Sequence, residues 1–252
     1  MKVIRGLRNI VAFLTVLPVG MDDDGLYQAA SYMPAFPMIG ALIGFACGAF
    51  VWVLESLLPT LIVGILGLGF LLLLTGVHHT DGLLDFGDAV MFHGSREEKL
   101  RIMWDPQTGA GGFSLGFIVL ATTALGIAAI DRSIVIQSLI ASEAAAKFAM
   151  VFQATMGRSA HKGLNTPFVK VMHGKSRWIR FGVASTLQLA ISVAVLQIVG
   201  VALTVSGVVV AAAMLVISMR SLGGVTGDVI GATNDLTRLV SLLLITVSAR
   251  WA

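Results

Sequence analysis

Apolar residues run along this chain in long blocks separated by short charged stretches. Gly25 to Leu54 carries no charge, nor does Ser56 to Val77, nor Pro106 to Ile130. Phe181 to Met219 is a run of 39 residues without an ionisable side chain. A helix needs about 20 apolar residues to cross a bilayer core of ~30 Å. The pattern therefore predicts an all-α, polytopic membrane bundle with about seven transmembrane helices. They are expected near 31–57, 60–77, 113–130, 133–156, 180–199, 201–219 and 228–250. The 39-residue run is read as two spans joined near Gly200. Leu7–Val19 is too short to span, is interrupted by Pro18 and lacks a small-residue cleavage site. It is expected to lie as an interfacial helix on the membrane surface.

Composition sharpens this picture. Of 252 residues, 56% are hydrophobic and only 12% are charged, with a net charge of +3. Soluble domains carry roughly 25% charge, and a disordered chain needs low hydrophobicity; both classes are excluded. A lone cysteine, Cys47, excludes an intrachain disulfide and any Cys-rich zinc or iron–sulfur centre. The basic residues are sparse and lie between apolar runs, which reads as membrane topology and not as a nucleic-acid surface. The whole chain, 1–252, is read as one integral membrane domain.

Charge placement orients the spans. With the N-terminus inside, residues 1–30, 78–112, 157–180 and 220–238 are cytoplasmic. They hold fourteen of the seventeen lysines and arginines, as the positive-inside rule requires. Arg132 and Arg250 fall outside, and Lys147 falls within a span. The same segments hold eleven of the fourteen acids, which that rule does not require. The one-sided acidity needs its own cause, and a site on the cytoplasmic face is the candidate.

The stretch Thr75-Gly-Val-His-His-Thr-Asp-Gly-Leu-Leu-Asp-Phe-Gly-Asp88 concentrates it. Asp81, Asp85 and Asp88 fall at i, i+4 and i+7, one stripe of a helix. Three like charges so placed are stable with a cation among them or with water screening them. Oxygen-only ligands select a hard ion, so Mg²⁺ is expected, with Mn²⁺ as the near alternative. His78 extends the stripe and His79 does not. Either is a ligand, a general base or a phosphate partner, or else a headgroup-level anchor of the preceding span. Ser95 and Glu98 have the spacing of a capping box opening a short charged helix. Gly109, Gly111 and Gly112 precede a span; their N–H groups suit a phosphate, or simply a turn. Gly223-Gly-Val-Thr-Gly-Asp-Val-Ile-Gly231 combines a small-residue packing repeat with Asp228, a carboxylate that needs an inward partner. Thr226 and Gly227 beside it are candidate substrate contacts. Glu143 and Lys147, at i and i+4 within the fourth span, are either a self-neutralising pair or a substrate contact. The repeat Gly40, Gly44, Gly48 carries no acid and suits helix packing, within the chain or between copies of a homo-oligomer.

Four segments together resemble the cobalamin synthases, or adenosylcobinamide-GDP ribazoletransferases. Phe13-Leu-Thr-Val-Leu-Pro-Val19 resembles the family's N-terminal motif. Tyr32-Met-Pro-Ala-Phe-Pro-Met-Ile-Gly40 resembles its first-span signature. His79-Thr-Asp-Gly-Leu-Leu-Asp-Phe-Gly-Asp88, continued by Asp105, Gly109 and Gly112, is similar to its acidic core. Gly223 to Ala232 is similar to its late motif. The resemblance implies a multi-pass plasma-membrane enzyme, its active site facing the cytoplasm among membrane lipid. Its substrates would be adenosylcobinamide-GDP and α-ribazole or α-ribazole 5′-phosphate, and GMP would be released. It also implies that Asp81, Asp85, Asp88 and Asp228 hold Mg²⁺ on the pyrophosphate. His79 falls on the family's histidine, and Asp105 joins the two histidines as a catalytic candidate. Two positions depart from the family: Arg238 stands where an acid is common, with Asp235 as its substitute, and Ala89 stands where a glycine is frequent. A CDP-alcohol phosphotransferase is the nearest rival, but Asp81-Gly82 is followed by Leu83-Leu84-Asp85 and not by that family's Ala-Arg. An ion-coupled transporter is a further rival, opposed by the lack of an internal repeat and by acids clustered at one face.

Topology reporters placed at residue 90 and at residue 165 are expected on the same side of the membrane; a map that separates them overturns the orientation.

Overall fold

The computed structural model describes residues 2–248. Arg250 and the expected end of the last span at residue 250 lie outside the described residues. The described chain is helical, with no strand and one isolated parallel bridge between Ser159 and Val225. The order is α1 (Lys2–Leu14), α2 (Gly25–Ser31), a 3-10 turn (Met33–Ala35), α3 (Phe36–Leu54), α4 (Thr60–Thr75) and α5 (His78–Met91). There follow α6 (Arg96–Ile102), α7 (Ala110–Ala128), α8 (Val135–Met156), α9 (Thr166–Met172), α10 (Arg177–Ser221) and α11 (Gly227–Ser248).

Five stretches are long and apolar enough to cross a membrane: Met33–Leu54, α7, α8, α10 and α11. α4 and α5 together make a sixth, bent by 98°. Three differences from the expected spans have physical causes. α4 has only 16 residues, a rise of ~24 Å, because the chain turns at Gly76 and Val77. Both adopt positive φ, 69° and 63°; glycine does so without strain, and valine is held there by its neighbours. The chain then continues as α5 at 98° to α4 instead of along its axis. The expected joint near Gly200 falls at Gln197 (φ 49°, ψ −124°). There α10 reverses: Gly200 packs on the backbone of Ser192, and Gln188 Nε2 donates to Thr204 Oγ1 at 3.5 Å. Finally, Asp235 and Arg238 are not in a cytoplasmic loop. They lie within α11 and are buried.

α1 is amphipathic. Ile10 and Leu14 are buried, while Val3 and Ile4 in the first turn are exposed. Its end is tied to the end of α4 by Val16 N–H donating to Leu74 O at 2.9 Å. Asp22 fastens α1 from below through Arg8 and through Asn9 Nδ2 at 3.0 Å. The Asn9 and Arg8 bonds hold its carboxyl below the usual range.

α8 is the axis of the bundle, buried on nearly every side. Small residues allow this: Ala141, Ser142, Ala144, Ala145, Ala146 and Ala149 let neighbouring backbones close in. Gly40, Gly44 and Gly48 of α3 pack directly on α8 backbone at Glu143, Leu139 and Ile136. That repeat is therefore an internal contact.

A polar cluster sits inside this packing. Arg238 binds Glu143 through Nε and Nη2, and its Nη1 donates to Asp235 Oδ1 at 2.8 Å. Lys147 Nζ donates to Asn234 Oδ1 at 2.7 Å and to Glu143 Oε2 at 3.4 Å. Asn234 Nδ2 donates to Asp235 Oδ1 at 3.0 Å. Two cations meet two anions, so the cluster is neutral. Thr80 Oγ1 donates to Asp235 Oδ2 at 2.8 Å, tying α5 to the same cluster.

Arg238→Leu leaves Lys147 alone to balance both Glu143 and Asp235 in the cluster and is expected to cost about 3–5 kcal/mol. Thr80→Val removes one hydrogen bond to the Asp235 carboxylate and costs about 1.5–3 kcal/mol. Thermal midpoints in detergent check both, and equal midpoints for the two variants would contradict this ranking.

Candidate active site

α5, the turn before α7, the loop at 158–165 and the start of α11 lie together. α5 lies with α11 on one flank and α7 on the other. Two close approaches set its position. At Gly82 a Cβ would stand 2.6 Å from Asp228 Cα, and at Gly231 a Cβ would stand 3.1 Å from His79 Cα. A side chain at Gly82 would push the two acid-bearing helices apart; this is why the Asp81-Gly82 pair sits opposite Asp228. Asp228 itself begins α11, whose first turn is capped by Thr226: its Oγ1 accepts from Val229 N–H at 3.1 Å. Thr226 is thus buried as a cap, while Gly227 is exposed with open space before it.

Asp81 is exposed, and Asp85 and Asp228 are half-buried. Burial first, and then the charges of Asp81, Asp228 and Asp88, push the Asp85 carboxyl up to about 7. The acids of the two motifs thus act on one another electrostatically, as a shared face demands.

Asp88 is placed differently. Its carboxylate accepts Gly109 N–H at 2.7 Å and Gly112 N–H at 2.8 Å. The glycine-rich turn does offer N–H groups to an anion, but that anion is Asp88, capping α7. Gly109 and Gly112 are accordingly spent within the protein. Asp105 is exposed beyond them and accepts Gln107 N–H at 3.0 Å. Asp88, Asp105, Gln107 and Gly109 line a cleft of about 310 Å³. The capping box is present: Ser95 Oγ accepts from Glu98 N–H at 3.3 Å, and Glu98 Oε2 from Ser95 N–H at 2.8 Å.

The two histidines separate. His78 is exposed, its ring beside Gly76. His79 is buried, with its Nδ1 lacking a protein partner. Burial, then the charges of Lys147 and Arg238, lower its basicity. Glu143 and Lys147 are fully enclosed in the interior cluster, beneath α5 and away from the exposed acids. Sequence reasoning missed that cluster, the Asp88 cap and the clamp between residues 158–165 and 223–226. Asp228, Asp235 and Arg238 at i, i+7 and i+10 of an otherwise apolar helix were a signal of inward charge.

The donor chemistry of Asp81, Asp85 and Asp228 fits a hard divalent cation: all are carboxylate oxygens, and their mutual repulsion is relieved by positive charge. Among the described residues no three His, Cys, Asp or Glu side chains stand close enough to cage an ion by themselves. Mg²⁺ ordinarily takes one or two carboxylates and completes its shell with water and substrate phosphate, so these acids fit a substrate-bridged ion and not a closed cage.

Fold and site together define an all-helical membrane protein with a shared acidic face. A family model described as cobalamin-5-phosphate synthase matches residues 6–246. Among curated relatives named adenosylcobinamide-GDP ribazoletransferase, that of Methanocella arvoryzae is 34% identical over 96% of this chain and 95% of its own. That of Methanococcoides burtonii is 32% identical over 96% and 92%, and that of Thermococcus kodakarensis 31% over 94% and 96%. No solved structure matches. The chain belongs to the cobalamin-5-phosphate synthase family.

The raised Asp85 carboxyl gives a pH signature. Its protonated form favours the fold fully below the unfolded value of 3.8, and that contribution is lost as pH rises through about 7. In a chelator, the thermal-midpoint gain of Asp85→Asn over wild type is expected to be small at pH 5 and larger at pH 8. A gain that does not grow between these pH values would show that the Asp85 carboxyl is neither desolvated nor repelled.

Proposed function

We propose that this protein is an adenosylcobinamide-GDP ribazoletransferase. It joins adenosylcobinamide-GDP to α-ribazole or its 5′-phosphate and releases GMP, at the cytoplasmic face of the plasma membrane. The observation that carries this is the approach of α5 to α11 at Gly82, which brings Asp81 and Asp85 of one motif against Asp228 of the other. Family membership over nearly the whole chain supports it.

In this reading Asp81, Asp85 and Asp228 hold Mg²⁺, with Mn²⁺ as an alternative. The ion supplies charge neutralisation to a substrate pyrophosphate. Asp88 contributes by fixing α7 beside α5. The ribose hydroxyl of α-ribazole attacks the phosphorus attached to cobinamide. A new phosphorus–oxygen bond forms, the bond to the bridging oxygen breaks, and GMP departs with that oxygen. The hydroxyl proton passes to a base at this face. His78, exposed at the start of α5, takes that role, while enclosed His79 packs that helix against Gly231 and the interior cluster. Positioning of reactants and charge stabilisation dominate such phosphoryl transfers, so a rigid α5 matters more than a strong nucleophile–base pair.

The test is GMP release from membranes incubated with adenosylcobinamide-GDP, α-ribazole and Mg²⁺. A CDP-alcohol phosphotransferase or an ion-coupled transporter would give none. Asp81→Asn and Asp228→Asn are each expected to lower turnover by about 10²-fold or more while leaving the protein folded and inserted. Chelation is expected to stop wild-type turnover, and added Mg²⁺ to restore it. Full activity in either variant would remove these acids from the mechanism.

A further inference from the structure

Beside the acidic face lies a second, differently built surface. The loop at 158–165 is clamped to the start of α11. Val225 N–H donates to Arg158 O at 2.8 Å, Ala160 N–H to Val225 O at 3.0 Å, and Asn165 Nδ2 to Val225 O at 2.8 Å. Arg158 Nε donates to Gly223 O at 3.1 Å, which anchors the guanidinium there; its two Nη groups have no protein partner among the described residues. Gly223 has φ +79°, and a Cβ there would stand 3.2 Å from Arg96 Nη1. The two arginines therefore flank the same turn, three to five residues ahead of Asp228. His161, on the clamped loop, lies within electrostatic reach of Asp228. Its ring meets Trp104 edge-on, with centroids 5.2 Å apart and planes at 81°.

Trp104 is 63% exposed. Trp104 follows α6, whose sequence is Arg96-Glu-Glu-Lys-Leu-Arg-Ile102, and precedes Asp105-Pro-Gln107. Its aromatic neighbour belongs to a polar loop. A wide indole surface thus stands in a polar setting, steadied by a histidine of the loop that also carries Arg158. That combination suits a flat aromatic base carrying phosphate: stacking serves the base, and planar guanidinium groups serve the phosphate.

We infer that Trp104, braced edge-on by His161, offers a stacking face to a purine base and that Arg158 holds the adjoining phosphate, making a nucleotide subsite next to Asp228. The inference rests on the proposed function, which supplies a guanine nucleotide as the leaving half of one substrate. It deepens that reading by placing the nucleotide half on the α6–α11 side of the acids. The attacking nucleoside then approaches from elsewhere on the face.

Binding of GMP and of guanosine to purified protein in nanodiscs tests this without turnover. Trp104→Ala is expected to weaken both ligands by about ten-fold, and Trp104→Phe to restore most of the loss. Arg158→Gln is expected to weaken GMP and leave guanosine unchanged. In turnover, Trp104→Ala should raise KM for adenosylcobinamide-GDP and leave KM for α-ribazole as in wild type. Unaltered GMP binding in Trp104→Ala, or equal losses of GMP and guanosine in Arg158→Gln, would overturn the subsite. Wild-type protein that binds GMP through Trp104 yet releases none from adenosylcobinamide-GDP would keep the subsite and sink the transferase reading.

Discussion

The buried cluster of Glu143, Lys147, Asp235 and Arg238 is the constraint on which the arrangement depends. Charges inside an apolar bundle are tolerated only when each finds a partner. Here the partners come from two helices, α8 and α11, and the neutral Thr80 hydroxyl adds a third, α5. Any other relative placement of α8 and α11 would leave a charge unpaired in a low-dielectric interior. The cluster thus selects one packing among the many that interchangeable apolar helices allow. Because Thr80 lies between His79 and Asp81, the same selection fixes where the acidic stripe of α5 comes to rest.

Above the cluster the balance is reversed. Asp81, Asp85 and Asp228 lie together with no cation bonded among them in the described residues, and burial, then their repulsion, raises the Asp85 carboxyl to about 7. The interior is neutralised by its own side chains and the face above it is not. That contrast separates charges that hold the fold from charges available to a ligand. It also gives Asp88 a place of its own, since its oxygens are spent on two backbone N–H groups of α7.

Much of this was legible from one dimension. The uncharged runs marked the membrane helices, and the joint in the 39-residue run was placed within three residues of its observed position at Gln197. The stripe at Asp81, Asp85 and Asp88 is a helix, and the Ser95–Glu98 box caps another. Reading failed where hydropathy does not report direction. α4 and α5 look like a span followed by its polar end, but a positive-φ pair at Gly76 and Val77 turns the chain by 98°. It failed again at Asp235 and Arg238, which looked like loop charges because Arg238 meets Glu143 across 95 residues and Asp235 meets Thr80 across 155.

The sequence by itself determined the membrane residence, the positions of most apolar helices, the clustering of acids on one side and the family. These follow from composition, from helical periodicity and from motifs, all of which are local. Only the tertiary structure decided what each polar group is for. Thr80 meets Asp235 across 155 residues, and Lys147 meets Asn234 across 87. Gly109 and Gly112 look like phosphate donors until Asp88 is seen to occupy them. A polar group's role depends on whether its partner is protein, water or substrate, and that is settled by packing between helices distant in the chain.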